Sequence, residues 1–289
     1  MSSDLVIRAL DGVEELKIAQ TIMGETWGYE HDNLAALPTL IATVHVGGLV
    51  AGAFEGEKMI AISWAFPGLM EGELLLYSQM TAVLEGHRER GAGKRIKFFQ
   101  REWALEHGFK RIRWTFDPLM AINARFNLKY LGATAIGYLV DFYGQSESAL
   151  HGTLPTDRFM TDWDLTSDRV KALAAGGGDQ PGFGPVDELP EIHTLIDTAG
   201  GLEVPGPPGI PDPVQNPYAL APVPADFLAL QRNEPEVAEA WRLGAREAYR
   251  LAFDAGYAFV DFVRLADRSD RFCTEGYLLS SEQAARDSE

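Results

Sequence analysis

Arg88, Gly91, Gly93 and Lys94 lie within one short run, Arg88-Glu89-Arg90-Gly91-Ala92-Gly93-Lys94. Residues of these types at this spacing suit the holding of an anion. Glycines let the backbone curl its amides around a negative group, and flanking cations add charge. An apolar run ending in Thr81-Ala82-Val83 leads into the loop and reads as a strand. Residues 95–105 lead out of it, with Ile96, Phe99 and Trp103 at helical spacing. The loop therefore opens a helix, whose first N–H groups have no intrahelical partner and whose dipole is positive there. That is a candidate phosphate cradle. It is not a Walker A loop, because Arg95 stands where Ser or Thr is needed and no glycine sits five residues before Gly93. The dinucleotide order G-x-G-x-x-G is absent as well. A surface turn before an ordinary helix is the plain alternative.

The elements that must position this loop can be read on either side of it. Residues 5–10 read as a first strand and 13–23 have helical spacing. Trp27-Gly28-Tyr29 breaks that pattern, and Pro38-Thr39 opens another apolar stretch. Gly47-Gly48 reads as a hairpin-type turn between residues 43–45 and 49–54. Residues 59–66 and 74–83 read as further strands, with breaks at 55–58 and 68–72. Gly108 reads as a helix C-cap before a strand over 111–116, which Asp117-Pro118 ends. The order is strand, helices, three antiparallel strands, loop, helix, strand.

The chain has 289 residues, 46% of them hydrophobic, so one large or two modest domains with a sizeable core are expected. A net charge of -17 argues against nucleic-acid binding through the whole surface. Against that background Arg88, Arg90, Lys94, Arg95 and Lys97 read as a local basic cluster suited to a polyanion. The single cysteine, Cys273, allows no internal disulfide, and the six histidines show no ligand spacing, so no metal is expected. The N-terminus does not read as a signal peptide, and no apolar run approaches a membrane span. A cytoplasmic protein with no membrane partner is the expectation.

Val83, Arg88, Gly91 and Gly93 fit V-x-P-x-x-R-G-x-G-x-G/A, with Glu85 in place of the proline and Glu89 in place of the first glycine. The loop thus resembles the acyl-CoA pyrophosphate loop of the GNAT acyltransferase superfamily, and the succession of elements is similar to the GNAT core. The resemblance implies an α/β (α+β) fold, a mixed, mostly antiparallel twisted sheet flanked by helices. It implies that acetyl-CoA or another acyl-CoA is the cofactor, with succinyl-CoA a further candidate, and that residues 88–94 cradle its pyrophosphate. The strands before and after the helix would splay apart. Backbone groups near Met80, Thr81, Ala82 and Val83 would then pair with the pantetheine arm much as with an added strand. The segment 123–133 resembles N-x-x-A-x-x-L-Y-x-x-x-G-F, whose Tyr often protonates the departing thiolate. Counted from Asn123, Tyr130 takes that place; counted back from Gly132, Leu128 does. Asn123 and Asn127, four apart on a helix, are candidate pantetheine or phosphate contacts, or else a cap and an exposed polar residue. Residues 116–128, 155–159 and Trp241, Arg242 and Arg246 also resemble a group of bacterial acetyltransferases of about this length. Some of those are associated with N-acylamino-acid metabolism.

Acyl transfer to an amine needs a proton acceptor, a polarised carbonyl and a proton donor for the thiolate. Asp117 is the first candidate base, because it ends the strand beside the cleft; Glu85 and then Glu73 follow. For each, a solvated or capping carboxylate is the alternative. Tyr77, Gln79 and Thr81 could line an acceptor pocket, and Trp27 and Tyr29 could cover it.

Residues 136–142 and 158–165 read as strands, Ser167 as the cap of a helix over 169–175, and 176–182 as a glycine-rich linker. The proline-rich run 204–224 reads as extended without regular structure. Residues 246–263 repeat the helix, Gly-aromatic, strand pattern of 101–116. That suggests a GNAT domain over 1–153 and a degenerate GNAT-like half over 154–289. The second helix opens with Asn233-Glu234-Pro235-Glu236, acids that would repel a pyrophosphate, so one cofactor site is expected. The function implied is acyl-CoA-dependent N-acyl transfer, acetyl or succinyl, to a small-molecule amine or amino acid in a ternary complex. Peptide or protein N-acetylation and a noncatalytic acyl-CoA-binding module are the alternatives. A homodimer is one open arrangement.

Overall fold

The computed structural model describes residues 5–27, 35–88, 91–144, 154–176, 192–196, 208–265, 273 and 275–281. The chain opens with β1 (Leu5–Ala9), α1 (Val13–Trp27), α2 (Leu37–His45), β2 (Leu49–Glu55), β3 (Lys58–Met70) and β4 (Glu73–Val83). Then come α3 (Ala92–Glu106), β5 (Arg111–Phe116), α4 (Ala121–Ala124), a π-helical stretch (Arg125–Tyr130), β6 (Thr134–Leu139), β7 (Arg158–Asp164) and α5 (Asp168–Ala174). It closes with β8 (His193–Thr194), β9 (Tyr218–Val223), α6 (Phe227–Asn233), α7 (Pro235–Asp254), β10 (Ala258–Arg264) and β11 (Glu275–Ser280). The fold is α/β, with mixed and mostly antiparallel strands flanked by helices. Its first eight elements follow the expected order.

Two compact units divide the chain. The first is built on Met1–Trp114 with Asp164–Ser167, the second on Thr115–Glu147, His151–Trp163 and Asp168–Glu289. In the first, β1, β2, β3 and β4 pair antiparallel in sequence order, and β5 joins β4 in parallel. β2 is buried on both faces over Leu49–Phe54, so its sequence is continuously apolar instead of alternating. One face packs against Leu16, Ala19, Ile22 and Met23 of α1 and Leu40 of α2; the other packs against Ile96, Phe99 and Trp103 of α3. Those three fall on one side of α3, as their spacing implied.

In the second unit β6 pairs with β7 and β10, β11 pairs with β10 and β9, all antiparallel, and β8 runs parallel to β9. Along α7, Ala238, Trp241, Ala245, Ala248, Tyr249 and Ala252 form a buried stripe at helical spacing. It meets Phe159, Phe259 and Tyr277 in an aromatic core.

Several expectations are corrected. Residues 43–45 are the end of α2, not one arm of a hairpin. Pro38 stands in the first turn of α2, where its missing N–H costs nothing, and Gly47 follows the helix end with φ 83. No break occurs at Gly68, because β3 runs on to Met70 and the turn falls at Glu71 and Gly72, both with positive φ. Part of the proline-rich run is a strand: β9 pairs along its length with β11, with Pro222 opposite Gly276. The strand expected over 136–142 ends at Leu139. Residues 177–182 of the expected linker and 204–207 of the proline-rich run lie outside the described residues. Among the described residues, no helix is long and apolar enough to cross a membrane.

Candidate acyl-CoA site

The strand that enters the loop is paired unevenly. On one edge β4 pairs with β3 from Glu73 to Val83, but the register steps from Met80 opposite Trp64 to Ser78 opposite Ala65. Gln79 is therefore an extra residue, a bulge, and bulges bend a strand. On the other edge β4 meets β5 only at Leu76↔Ile112 and Tyr77↔Arg113. Beyond that point, residues 78–83 pair with no strand on this edge among the described residues. A bend followed by an unmatched edge is a fork whose open backbone groups can take an extended ligand.

Past Val83 the backbone turns at Gly86 (φ 82), and Arg88 donates from Nε to the Val83 carbonyl at 3.3 Å. Glu89 and Arg90 lie outside the described residues. Gly91 stands at the helix N-cap with φ 72, in the left-handed region. No side chain caps the helix, and its first turn holds no acid. The first helical bond runs from Arg95 N–H to the Gly91 carbonyl at 3.0 Å. The N–H groups of Ala92, Gly93 and Lys94 thus precede the intrahelical ladder. Ala92 is buried and Gly93 half-buried. An uncapped helix start free of acid, with amides to spare, fits a phosphate-type group.

The basic cluster is smaller than its sequence suggests. Lys94 lies over the Phe98 ring at 5.7 Å, and Arg95 donates to the Leu5 carbonyl of β1 at 2.8 Å. Lys97 does not join the cluster, because it faces the sheet and is 3% exposed. Its Nζ donates to Ser78 Oγ at 3.0 Å and to Gln100 Oε1 at 2.6 Å. Gln100 Nε2 donates to Ser63 Oγ at 2.9 Å, and Ser63 Oγ lies 3.3 Å from Thr81 Oγ1. The same Nζ lies 4.1 Å from the Trp114 ring centre. Burial pushes this amine down to about 7. Lys97, Gln100 and Ala104 recur at helical spacing and are all buried. That spacing was the available signal for the network, but a lysine in a basic run reads first as solvated.

The candidate acid–base residues differ in setting. Glu85 is exposed at the loop entrance. Glu73 lies at the start of β4, 3.4 Å from Arg111. Asp117, the first candidate base at the end of its strand, is 6% exposed and accepts three hydrogen bonds. Arg242 donates to Oδ1 at 3.0 Å and to Oδ2 at 2.6 Å, and Leu119 N–H also donates to Oδ1 at 2.9 Å. Burial alone would raise this carboxyl, but the Arg242 charge and hydrogen bonds outweigh it and hold it below the usual carboxylate range. A base must offer a free lone pair to the amine; three donors, two of them from one buried guanidinium, occupy most of the acceptor sites of Asp117.

Tyr130 is 44% exposed at the end of the π-helical stretch, whereas Leu128 is fully buried. The wider turn, marked by Leu131 N–H reaching the Phe126 carbonyl, changes the facing of residues on this segment from that of an α-helix. Asn127 is buried and Asn123 half-buried, so the two do not share one exposed face. Tyr77 packs against Phe66 with ring centres 5.5 Å apart, and Thr81 turns its hydroxyl into the buried network. The Trp27 side chain and Tyr29 lie outside the described residues.

A polar cluster in the second unit was not anticipated. Arg246 forks onto Asp157, with both bonds at 2.8 Å, and Tyr138 donates to the same carboxylate at 2.6 Å. Burial and the Asp157 charge together push the Tyr138 phenol well up.

No family model matches the sequence, and no curated protein matches it. Among solved structures, the chain is similar to an IAA acetyltransferase from Bacillus cereus at 15% identity and a TM-score of 0.44, covering 56% of this chain and 99% of that one. It is similar to the ribosomal-protein-S18-alanine N-acetyltransferase from Escherichia coli at 13% identity and a TM-score of 0.45, covering 57% and 96%. It is also similar to an acetyltransferase of the GNAT family from Streptococcus pneumoniae at 12% identity and a TM-score of 0.44, covering 55% and 98%.

Proposed function

We propose that the chain is an acyl-CoA-dependent N-acyltransferase of GNAT type, acting on the amine of a small molecule, an amino acid among the candidates. The observation that carries this is the junction of a bulged, one-sided strand edge with an uncapped, acid-free helix start. The edge suits the pantetheine arm, and the helix amides suit the pyrophosphate. Acyl-CoA, when bound, supplies an activated thioester carbonyl. The backbone N–H groups of β4 beyond Tyr77 orient the arm and polarise that carbonyl. The amides of Ala92, Gly93 and Lys94, with Arg88, hold the diphosphate. Glu85, exposed beside the loop, is proposed to take the proton of the attacking amine through water. The acyl group is acetyl or succinyl.

The same proposal takes residues 154–289 as a reduced second copy of the domain over 1–153. Its support is the shared succession of helix, glycine, aromatic and strand: α3, Gly108, Phe109, β5 and α7, Gly256, Tyr257, β10.

Isothermal titration with acetyl-CoA and succinyl-CoA tests the donor. Heat with at least one is expected, and none with either would sink the proposal. Thiol release across a panel of amines, with succinyl-CoA and acetyl-CoA in parallel, then identifies acceptor and acyl group. Binding without turnover of any amine or peptide would leave only a noncatalytic binding module.

A further inference from the structure

Among the described members of the basic run, Lys97 alone is buried. Its place is specific. The last paired residues of the fork are Tyr77 and Arg113. The next residue on each strand is Ser78 on β4 and Trp114 on β5, and Lys97 Nζ touches both. The network then continues through Gln100 and Ser63 to Thr81. Ser78 and Thr81 bracket the bulge residue Gln79. One amine therefore sits in the crotch of the fork and ties α3 to both sides of the bulge.

The geometry points to Lys97 as a positioning residue for acyl transfer: it wedges the fork and clamps the bulge, so its protonation state sets the aim of the β4 edge over 78–83. This rests on the acyl-CoA function proposed above. An ammonium has three N–H donors and no lone pair. It fixes the direction of the bonds to Ser78 and Gln100, and it is drawn to the face of the Trp114 ring. The neutral amine loses that attraction and gains a lone pair, so the Ser78 hydroxyl can donate to it and the bond can reverse. Burial brings the change into the neutral range.

Among the groups facing Nζ are Ser78 from β4, Gln100 from α3 and Trp114 from β5, with Ser63 of β3 behind Gln100. Charged side chains on the packed elements make contacts of their own. Arg95 bonds the Leu5 carbonyl, Arg101 bonds the Leu165 carbonyl, and Arg113 pairs with Glu71. Glu73 pairs with Arg111, Arg8 pairs with Glu15, and Glu55 lies 3.4 Å from His87. Lys94 lies over Phe98, and Lys58, Glu102 and Glu106 are exposed.

The test follows the backbone amide resonances of Ser78, Gln79, Met80 and Thr81 from pH 5.5 to 9 without ligand. In the wild type they should move together, with one midpoint in the neutral range. In Lys97→Met they should not move. If that variant fails to fold, Ser78→Ala serves: the lysine still titrates, but the Gln79 and Met80 amides no longer follow it. Acetyl-CoA affinity should fall several-fold in the wild type between pH 6 and 8.5, and this fall should exceed that in Lys97→Met. Amides that stay flat in the wild type, or equal pH dependence of affinity in both proteins, would overturn the clamp. If the wild type binds no acetyl-CoA while its amides follow the lysine, the acyl-CoA function fails and the clamp stands.

Discussion

The two units each lay a helix against a sheet, and each helix carries a cation into the interior, yet the two cations are treated differently. On α7, Arg242 is 1% exposed, forks onto Asp117 and lies over the Phe227 ring at 5.0 Å. Burial would lower the guanidinium, but the Asp117 charge more than offsets this and holds it raised. On α3, Lys97 meets a hydroxyl, an amide and an indole, and burial brings it down to about 7. A guanidinium paired with a carboxylate is a fixed charge. A buried ammonium whose proton is loosened by desolvation is an adjustable one. The helix starts differ in parallel: α3 opens on Gly91 without an acid in its first turn, whereas α7 opens on Pro235 with Glu236. An acid-free start and an adjustable cation belong to one helix, and a locked ion pair to the other.

The largest effect is expected from breaking the locked pair. Asp117→Ala should destabilise the protein by about 3–5 kcal/mol, because a buried guanidinium loses its counter-charge. Chemical denaturation would measure it. Replacing both partners, Asp117→Leu with Arg242→Met, should cost much less than either single change. If the single change leaves stability intact but abolishes turnover, Asp117 is a catalytic carboxylate after all. The folded Asp117 carboxyl lies below its unfolded value, so its contribution is present above the ordinary carboxylate range. It is lost as pH falls through the lowered value.

Next in size is the cradle. Gly91→Val with Gly93→Val should weaken acetyl-CoA binding at least about 100-fold, about 2.7 kcal/mol. At Gly91 the cost comes from the positive φ, since open space surrounds the position where a Cβ would stand. Unchanged affinity would show that the helix start does not hold the ligand. The corresponding change at the head of α7, Glu236→Val, should leave binding unaltered.

Much of this contrast was legible in the sequence, and the rest had identifiable reasons to be hidden. Gly91, Gly93 and the apolar approach to Val83 announce a strand, loop and helix because backbone geometry and hydrophobic period are local properties. Gly108 and Gly256 likewise mark helix ends, each with positive φ. The bulge at Gln79 is not local. It arises from the register of two strands, and no residue type there demands it. Lys97 was misread because charge in a basic run implies solvent, whereas its helical phase turns it toward the sheet. The Asp117–Arg242 pair is hidden for a related reason: the partner lies 125 residues away, and chain order says nothing of that pairing. The helical state of residues 43–45 was obscured by Thr43 and Val44, whose strand preference packing overrides.

A smaller effect is expected at Tyr130. If the half-exposed phenol donates a proton to the leaving thiolate, Tyr130→Phe should lower kcat about 10-fold, about 1.4 kcal/mol, with acyl-CoA affinity unchanged. Stopped-flow thiol release would read it, and an unaltered kcat would reduce Tyr130 to a surface tyrosine.

The smallest effect separates the two cations most directly. The folded Lys97 amine lies near 7, well below its ordinary value. In the window between these values the unfolded chain holds a proton that the folded chain does not, so stability rises with pH there. Seen from the other side, the contribution is fully present only above the unfolded value, and it is lost as pH falls to the folded one. Below about 7 both states are protonated and the term is flat. Between pH 7 and 8 the gain should be about 1 kcal/mol, somewhat less than the limiting 1.4 kcal/mol per unit, because the folded amine is half-protonated at the lower end. Lys97→Met should remove this slope and leave the remaining pH dependence in place. Arg242→Met should lower stability by a similar amount at both pH values, because a guanidinium stays charged throughout the window. Denaturation of the wild type and both variants at pH 7 and 8 measures all three. Parallel slopes in wild type and Lys97→Met would mean that the α3 cation is as fixed as the α7 one, and the distinction between the two helices would rest on their N-termini alone.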